Sequence, residues 1–160
     1  MLAVKLICVG RMREKFYFDA FEEYRKRLGA FCKFECVELN EQRLSDRPSG
    51  AEISAALEKE AAEIEKQIPP DAYVVALCVE GREKSSEELS LLLAERENSG
   101  RPKLCFLLGS SYGMSENVKR RADEKLSMSR MTFPHHLARV MLAEQIYRGF
   151  KIKEGSRYHK

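Results

Sequence analysis

The chain has 160 residues, enough for one domain whose core needs no disulfide or metal staple. With 44% hydrophobic and 33% charged residues it is no disordered polymer, and no apolar run nears the roughly 20 residues that cross a bilayer. The formal net charge is only +3, but residues 128–160 hold seven Lys and Arg against two Glu, whereas residues 51–67 hold five Glu against two Lys. A basic end on a near-neutral chain fits an anionic partner, and fits a solvated charged face nearly as well.

The elements follow in chain order. "LAVKLICVG" (2–10) is a β-rich run ending in glycine, without a basic segment before it or a small-residue cleavage site after it. It reads as a first strand, and a cytoplasmic protein is expected. Residues 13–29 put Phe18, Phe21, Tyr24 and Leu28 at helical spacing, with Gly29 suited to the C′ position. "CKFECVEL" (32–39) alternates as a half-exposed strand does, and the polar 40–50, with Pro48 and Gly50, reads as a loop. Residues 51–68 form an amphipathic helix stopped by Pro69 and Pro70. "AYVVALCVEG" (72–81) is apolar throughout, as a strand covered on both faces would be.

Ser85 and Glu88 are spaced as a capping box for a helix to about residue 97. "KLCFLLG" (103–109) is a second continuous apolar strand, followed by a short helix near 115–122 and a strand-like "LSMSRMTF" (126–133). Strand and helix alternate five times, which predicts an α/β fold with a mainly parallel sheet and helices on both faces, in one domain spanning 1–160. Cys8, Cys32, Cys36, Cys78 and Cys105 are odd in number, contain no C-x-x-C and lie in apolar runs. They read as reduced, buried thiols, and no metal site is expected.

Ligands of such sheets bind beyond the carboxyl ends of the strands, so residues 80–82, 109–113 and 128–133 are the loops of interest. Gly81 and Gly109 directly follow strands, where they allow either close approach of a ligand or simply a tight turn. The turn after the first strand, "GRMREK", is not G-x-G-x-x-G. P-loop and H-E-x-x-H patterns are absent as well, so any chemistry belongs to the C-terminal half.

The last helix, within "MTFPHHLARVMLAEQIYR", is apolar almost all round yet keeps Arg139, Glu144, Gln145 and Arg148. Such a helix is buried on nearly all sides. Either its own fold sandwiches it, or the sheet covers one side and a second copy of the chain the other. Glu144 and Arg148 stand at i, i+4 and can pair, while Arg139 points the other way and needs a different partner, an anion or a carboxylate. His135 and His136 follow Pro134, which suits the N1 position, and either histidine can cap the helix or act at a site.

The pattern T-F-P-H-x-x-x-R-V-x-L-x-E-Q-x-Y-R with a terminal Y-H-K closely resembles the ribosomal RNA large-subunit methyltransferase H family of SPOUT methyltransferases. "LICVGRMREKF", "EYRKRLG", "VVALCVEGREKSSEELS" and "FLLGSSYGMS" extend the resemblance along the whole chain. One departure stands in the glycine loop, where the family's G-G-x-x-G is Gly109-Ser110-Ser111-Tyr112-Gly113. A Cβ at position 110 fits if φ is negative there and otherwise weakens approach of a cofactor.

The resemblance implies a homodimer with a C-terminal trefoil knot that uses S-adenosylmethionine to methylate N3 of a pseudouridine in large-subunit rRNA; because no separate RNA-binding domain is read in the chain, the assembled ribosome is the expected substrate. Carried over by position, Leu77, Gly109, Met128, Ser129, Arg130, Met131, Thr132 and Phe133 would bind the cofactor. His159, Tyr158 and Arg139 would serve the reaction, and Lys151, Lys153, Arg157 and Lys160 the RNA phosphates. The competing expectations are a non-catalytic RNA- or ribosome-binding dimer of the same fold, and a methyltransferase for another RNA such as tRNA.

Overall fold

Five strands, all paired in parallel, form one sheet in the order β2-β1-β4-β3-β5 in the computed structural model, which describes residues 1–160. They are β1 (Ala3–Val9), β2 (Lys33–Leu39), β3 (Tyr73–Glu83), β4 (Lys103–Leu108) and β5 (Glu124–Ser127). Between and after them run α1 (Lys15–Leu28), α2 (Gly50–Gln67), α3 (Ser86–Asn98), α4 (Glu116–Arg121) and α5 (His135–Lys153).

The two-residue period of a strand explains why residues 73–79 of β3 and 104–108 of β4 are apolar without interruption, and why β1 is apolar apart from Lys5. Leu6, Cys8, Val75 and Phe106 face a core closed by α1, α3 and α5. The intervening Ile7, Val9, Val74, Cys105 and Leu107 face a second core closed by α2 and α4. Helices therefore cover both faces, as the alternating pattern predicts. Strand β2 lies at the edge, and its outward positions remain open to water.

Helix α5 lies between α1 and α3 on one face of the sheet. Leu142, Ala143 and Ile146 are fully buried there, and burying a Leu or Ile side chain contributes about 1.5–3 kcal/mol. No residue from 135 to 152 is exposed, so a single copy of the chain already covers much of this helix. Its contact with α3 is close because position 149 is glycine: the Ser90 hydroxyl donates to the Gly149 carbonyl at 2.7 Å, and a Cβ on Gly149 would lie 2.6 Å from Leu93 Cδ1.

Local details differ from the sequence expectations in four places. Gly29 caps α1 in the right-handed region, φ −58°, so its freedom to adopt positive φ is not used. Pro134 is the N-cap of α5 rather than N1, since the helix begins one residue later. Strand β5 ends at Ser127, because residues 128–134 leave the sheet edge to wall a cavity. Cys36 and Cys78 are half-buried, unlike Cys8, Cys32 and Cys105, and all five are free thiols. The capping box holds: Glu88 N–H donates to Ser85 Oγ at 3.1 Å and Ser85 N–H to Glu88 Oε2 at 2.7 Å.

Gly149→Ala sets a helix-propensity gain of up to about 1 kcal/mol against an overpacking penalty of about 1–3 kcal/mol. Leu93 is fully buried and has nowhere to retreat, so we expect net destabilisation, read as a lower urea midpoint with an unchanged slope.

Candidate functional site

Parallel strands deliver all their carboxyl ends to one edge of the sheet, and there three loops enclose a cavity of about 560 Å³. Its walls come from residues 77–80, 108–114, 128–129 and 131–135, completed by Lys119 and Ala138. The first wall exists because β3 leaves its ladder. Leu77 pairs with Leu126, and after an excursion Arg82 pairs with the same Leu126. Gly81 closes that excursion against the neighbouring backbone, for a Cβ there would sit 2.8 Å from Leu126 N.

The second wall is a tight turn. Ser110 N–H donates to the Gly113 carbonyl at 3.2 Å and Gly113 N–H returns the bond to Ser110 O at 2.8 Å. A Cβ at Gly109 would lie 2.3 Å from the Gly113 carbonyl oxygen, and Gly113 itself has φ +88°. Both glycines are thus required by the turn itself. Position 110 is not among the residues with positive φ, so its serine is accommodated without backbone strain. In the third wall, Ser127 Oγ donates to Ser129 O and Met131 N–H to Ser129 Oγ, which shapes the chain where it departs from β5.

Of the residues expected to hold a cofactor, Leu77, Gly109, Met128, Ser129, Met131, Thr132 and Phe133 all line this cavity, whereas Arg130 does not. Half of the lining side chains are apolar. The lining carboxylate and ammonium stand together, with Lys119 Nζ donating to Glu80 Oε1 at 2.5 Å. That bond holds the Glu80 carboxyl below its ordinary range. Beside it, burial and then the Glu80 charge push the Cys78 thiol up.

The residues expected to act in chemistry fall into two other groups. Arg139 is 2% exposed, with Nη1 donating to Glu38 Oε2 at 2.7 Å and Nη2 to the Gly10 carbonyl at 2.8 Å. Both terminal nitrogens of this guanidinium are engaged inside the protein, so of the two expected partners the carboxylate is the one it finds. Burial works against ionisation of Glu38, but the Met12 N–H and Arg139 outweigh it and hold the carboxyl low. Next to this pair the His135 and His136 rings lie 4.1 Å apart, and His136 faces Glu14 at 3.4 Å. Burial, followed by the repulsion of His136, lowers the pKa of His135, which also lines the cavity.

The C-terminal tail folds back on α5. Arg148 pairs with Glu144 at 2.6 Å, as the i, i+4 spacing predicts, and Tyr158 donates its hydroxyl to the same carboxylate at 3.1 Å. Burial and then this carboxylate push the Tyr158 phenol up to about 12. His159 Nδ1 lies 3.2 Å from Arg148 Nη1, and Nε2 lies 2.8 Å from Glu87 Oε1. A guanidinium can only donate, so Nδ1 accepts and the ring proton belongs on Nε2, facing Glu87. None of Glu144, Arg148, Tyr158 and His159 lines the cavity. Of the expected RNA-binding cations, Lys151 pairs with Glu154 and Lys153 with Glu97, while Arg157 and Lys160 are exposed.

Sequence reasoning did not find Glu38, Glu87 or Lys119, and reached Glu80 only as part of the loop at residues 80–82. Each acquires a partner from a distant element, and Lys119 has a short-range one as well, Glu116 at i, i+3.

Two outcomes are expected. Arg139→Met leaves Glu38 with only Met12 N–H and solvent, and should destabilise by about 3 kcal/mol, the lower end for a broken buried pair, in urea denaturation. For His135, folding depresses the imidazole pKa. Its contribution to stability is therefore complete above the unfolded value of about 6.5 and is lost as pH falls through the lower folded value. In His135→Asn the urea midpoint should vary less between about pH 7 and about pH 5 than in the unaltered protein.

Comparison with known proteins agrees with this architecture. A family model described as "Predicted SPOUT methyltransferase" matches residues 2–159. A Bacillus pumilus protein named ribosomal RNA large subunit methyltransferase H is 43% identical over 157 residues, 98% of this chain and 99% of the relative. Proteins of the same name from Syntrophomonas wolfei and Streptococcus pyogenes are 43% and 42% identical, over 156 and 159 residues, covering 98% and 99% of this chain and 98% and 100% of the relatives.

Proposed function

The chain belongs to the SPOUT methyltransferase family, beside the proteins named ribosomal RNA large subunit methyltransferase H, and from that premise we propose that it methylates large-subunit rRNA with S-adenosylmethionine. The target is N3 of a pseudouridine on the assembled ribosome, and the active species is a cytoplasmic homodimer whose C-terminal segment is knotted. The observation that carries the reading is the single cavity that the three carboxyl-edge loops build.

The cavity fits the cofactor by size and by chemistry. Its volume lies within the roughly 300–1,000 Å³ of small-molecule sites. Apolar walls at Leu77, Met128 and Phe133 suit a purine and its ribose, with backbone groups of residues 128–133 to read the base edge. When bound, S-adenosylmethionine supplies the methyl group from its sulfonium. What the chain must add is orientation and a route for the proton of the imide N3, which is a poor nucleophile until that proton leaves.

The tail supplies these groups. Tyr158, with its raised pKa, remains a phenol at neutral pH and serves as a hydrogen-bond donor, not a base. His159 holds an unprotonated Nδ1 against Arg148, and on release from Arg148 that nitrogen can accept the imide proton. Arg148 can then stabilise the developing charge on a flanking carbonyl. Arg139, engaged with Glu38 and Gly10 O, positions the wall at His135 instead of touching substrate. Because tail and cavity are separate within one copy, the tail of a second copy completes the site in the dimer. Arg130, Arg157, Lys160 and the flanking Lys151 and Lys153 face the RNA phosphates, which would make binding sensitive to salt.

A non-catalytic reading draws no support from position 110, since the serine fits its turn without strain. Mass-spectrometric mapping of large-subunit rRNA tests the proposal. Deleting the gene should remove one methyl group from a pseudouridine, the intact gene should restore it, and His159→Ala should not. Unchanged rRNA would overturn the assignment of substrate.

A further inference from the structure

Lys119 has a side chain only 13% exposed, on a helix of six residues, and it sits in the cavity wall. Burying an ammonium group normally disfavours its charge. Here desolvation is outweighed by the hydrogen bond to Glu80, with Glu116 at 3.5 Å adding to it, so Lys119 holds its proton more tightly than an ordinary lysine. Glu80 comes from the excursion in β3, is 54% exposed, and is held ionised by the same contact.

A tether between α4 and β3 would not need to be built into a cavity wall. Lys119 and Glu80 are also the only lining groups that carry full charge at neutral pH, since burial and His136 keep His135 neutral. The rest of the wall is apolar or uncharged. A ligand that joins an apolar ring system to a zwitterion therefore has one place to put its charges.

We infer that Lys119 and Glu80 form the subsite for the amino-acid end of the cofactor, Lys119 Nζ receiving the α-carboxylate and Glu80 the α-ammonium. The inference rests on the S-adenosylmethionine reading above and adds two residues to it. The neighbouring charges of opposite sign already stand together, so the zwitterion meets a preorganised pair and needs no new buried charge.

Isothermal titration of the full chain with two unreactive probes tests this. S-adenosylhomocysteine keeps the amino-acid end, and 5′-methylthioadenosine lacks it. The unaltered protein should bind S-adenosylhomocysteine at least about tenfold more tightly, the worth of charge-assisted hydrogen bonds. Lys119→Gln should abolish most of that preference while leaving methylthioadenosine binding unchanged, which also reports that the variant is folded, and Lys119→Arg should restore part of it. Equal affinity of the unaltered protein for both probes would overturn the inference and leave the cofactor reading standing, as would equal weakening of both by Lys119→Gln. Binding of neither probe would overturn the cofactor reading itself.

Discussion

The guanidinium of Arg139 joins parts of the chain that are 101 and 129 residues apart, and the site depends on that junction. It bonds to the Glu38 carboxylate at the end of β2 and to the Gly10 carbonyl at the end of β1. Gly10 turns there with φ +103°, and a Cβ at this position would lie 3.2 Å from His135 Nε2. The start of α5, and with it the cavity wall at His135 and Ala138, is thereby fixed to the carboxyl edge of the sheet. A buried arginine is weak evidence for stability in itself, but removing one partner of such a pair leaves a charge that the interior cannot solvate.

From this anchor the chemistry divides spatially. The parallel sheet gathers the ends of β3, β4 and β5 around one cavity, while α5 and the tail folded on it hold a second polar cluster, made by Glu144, Arg148, Tyr158 and His159. The first group is half apolar with one charged pair and suits holding a small molecule. The second is densely hydrogen-bonded, carries protons and suits a reacting base. Their separation within one copy gives the proposed dimer a chemical purpose.

Much of the fold is legible in the sequence because it rests on local rules. The continuous apolar runs in β3 and β4 announce strands buried on both faces, and Ser85 with Glu88 announces the start of α3. Glu144 and Arg148 pair as adjacent turns require. The resemblance along the whole chain points to seven residues that line the cavity, Leu77, Gly109, Met128, Ser129, Met131, Thr132 and Phe133, and to Arg130, which does not. What could not be read depends on register between distant elements. Nothing near Glu38 marks it as the partner of Arg139, and nothing near Glu87 marks it as that of His159. The excursion at residues 78–81, which brings Glu80 to Lys119, follows from β3 meeting Leu126 twice.

The strand order also bears on how the protein is made. Strand β1 lies between β2 and β4, and β4 begins at Lys103, so a growing chain carries an apolar strand edge unpaired until most of the protein has left the ribosome. Contacts so distant along the chain form slowly and expose sticky surface meanwhile. Arg139 arrives later still. The emerging chain can have a sheet before it has a cavity, and any factor that shields β1 during synthesis would be acting on a molecule that cannot yet bind its ligand.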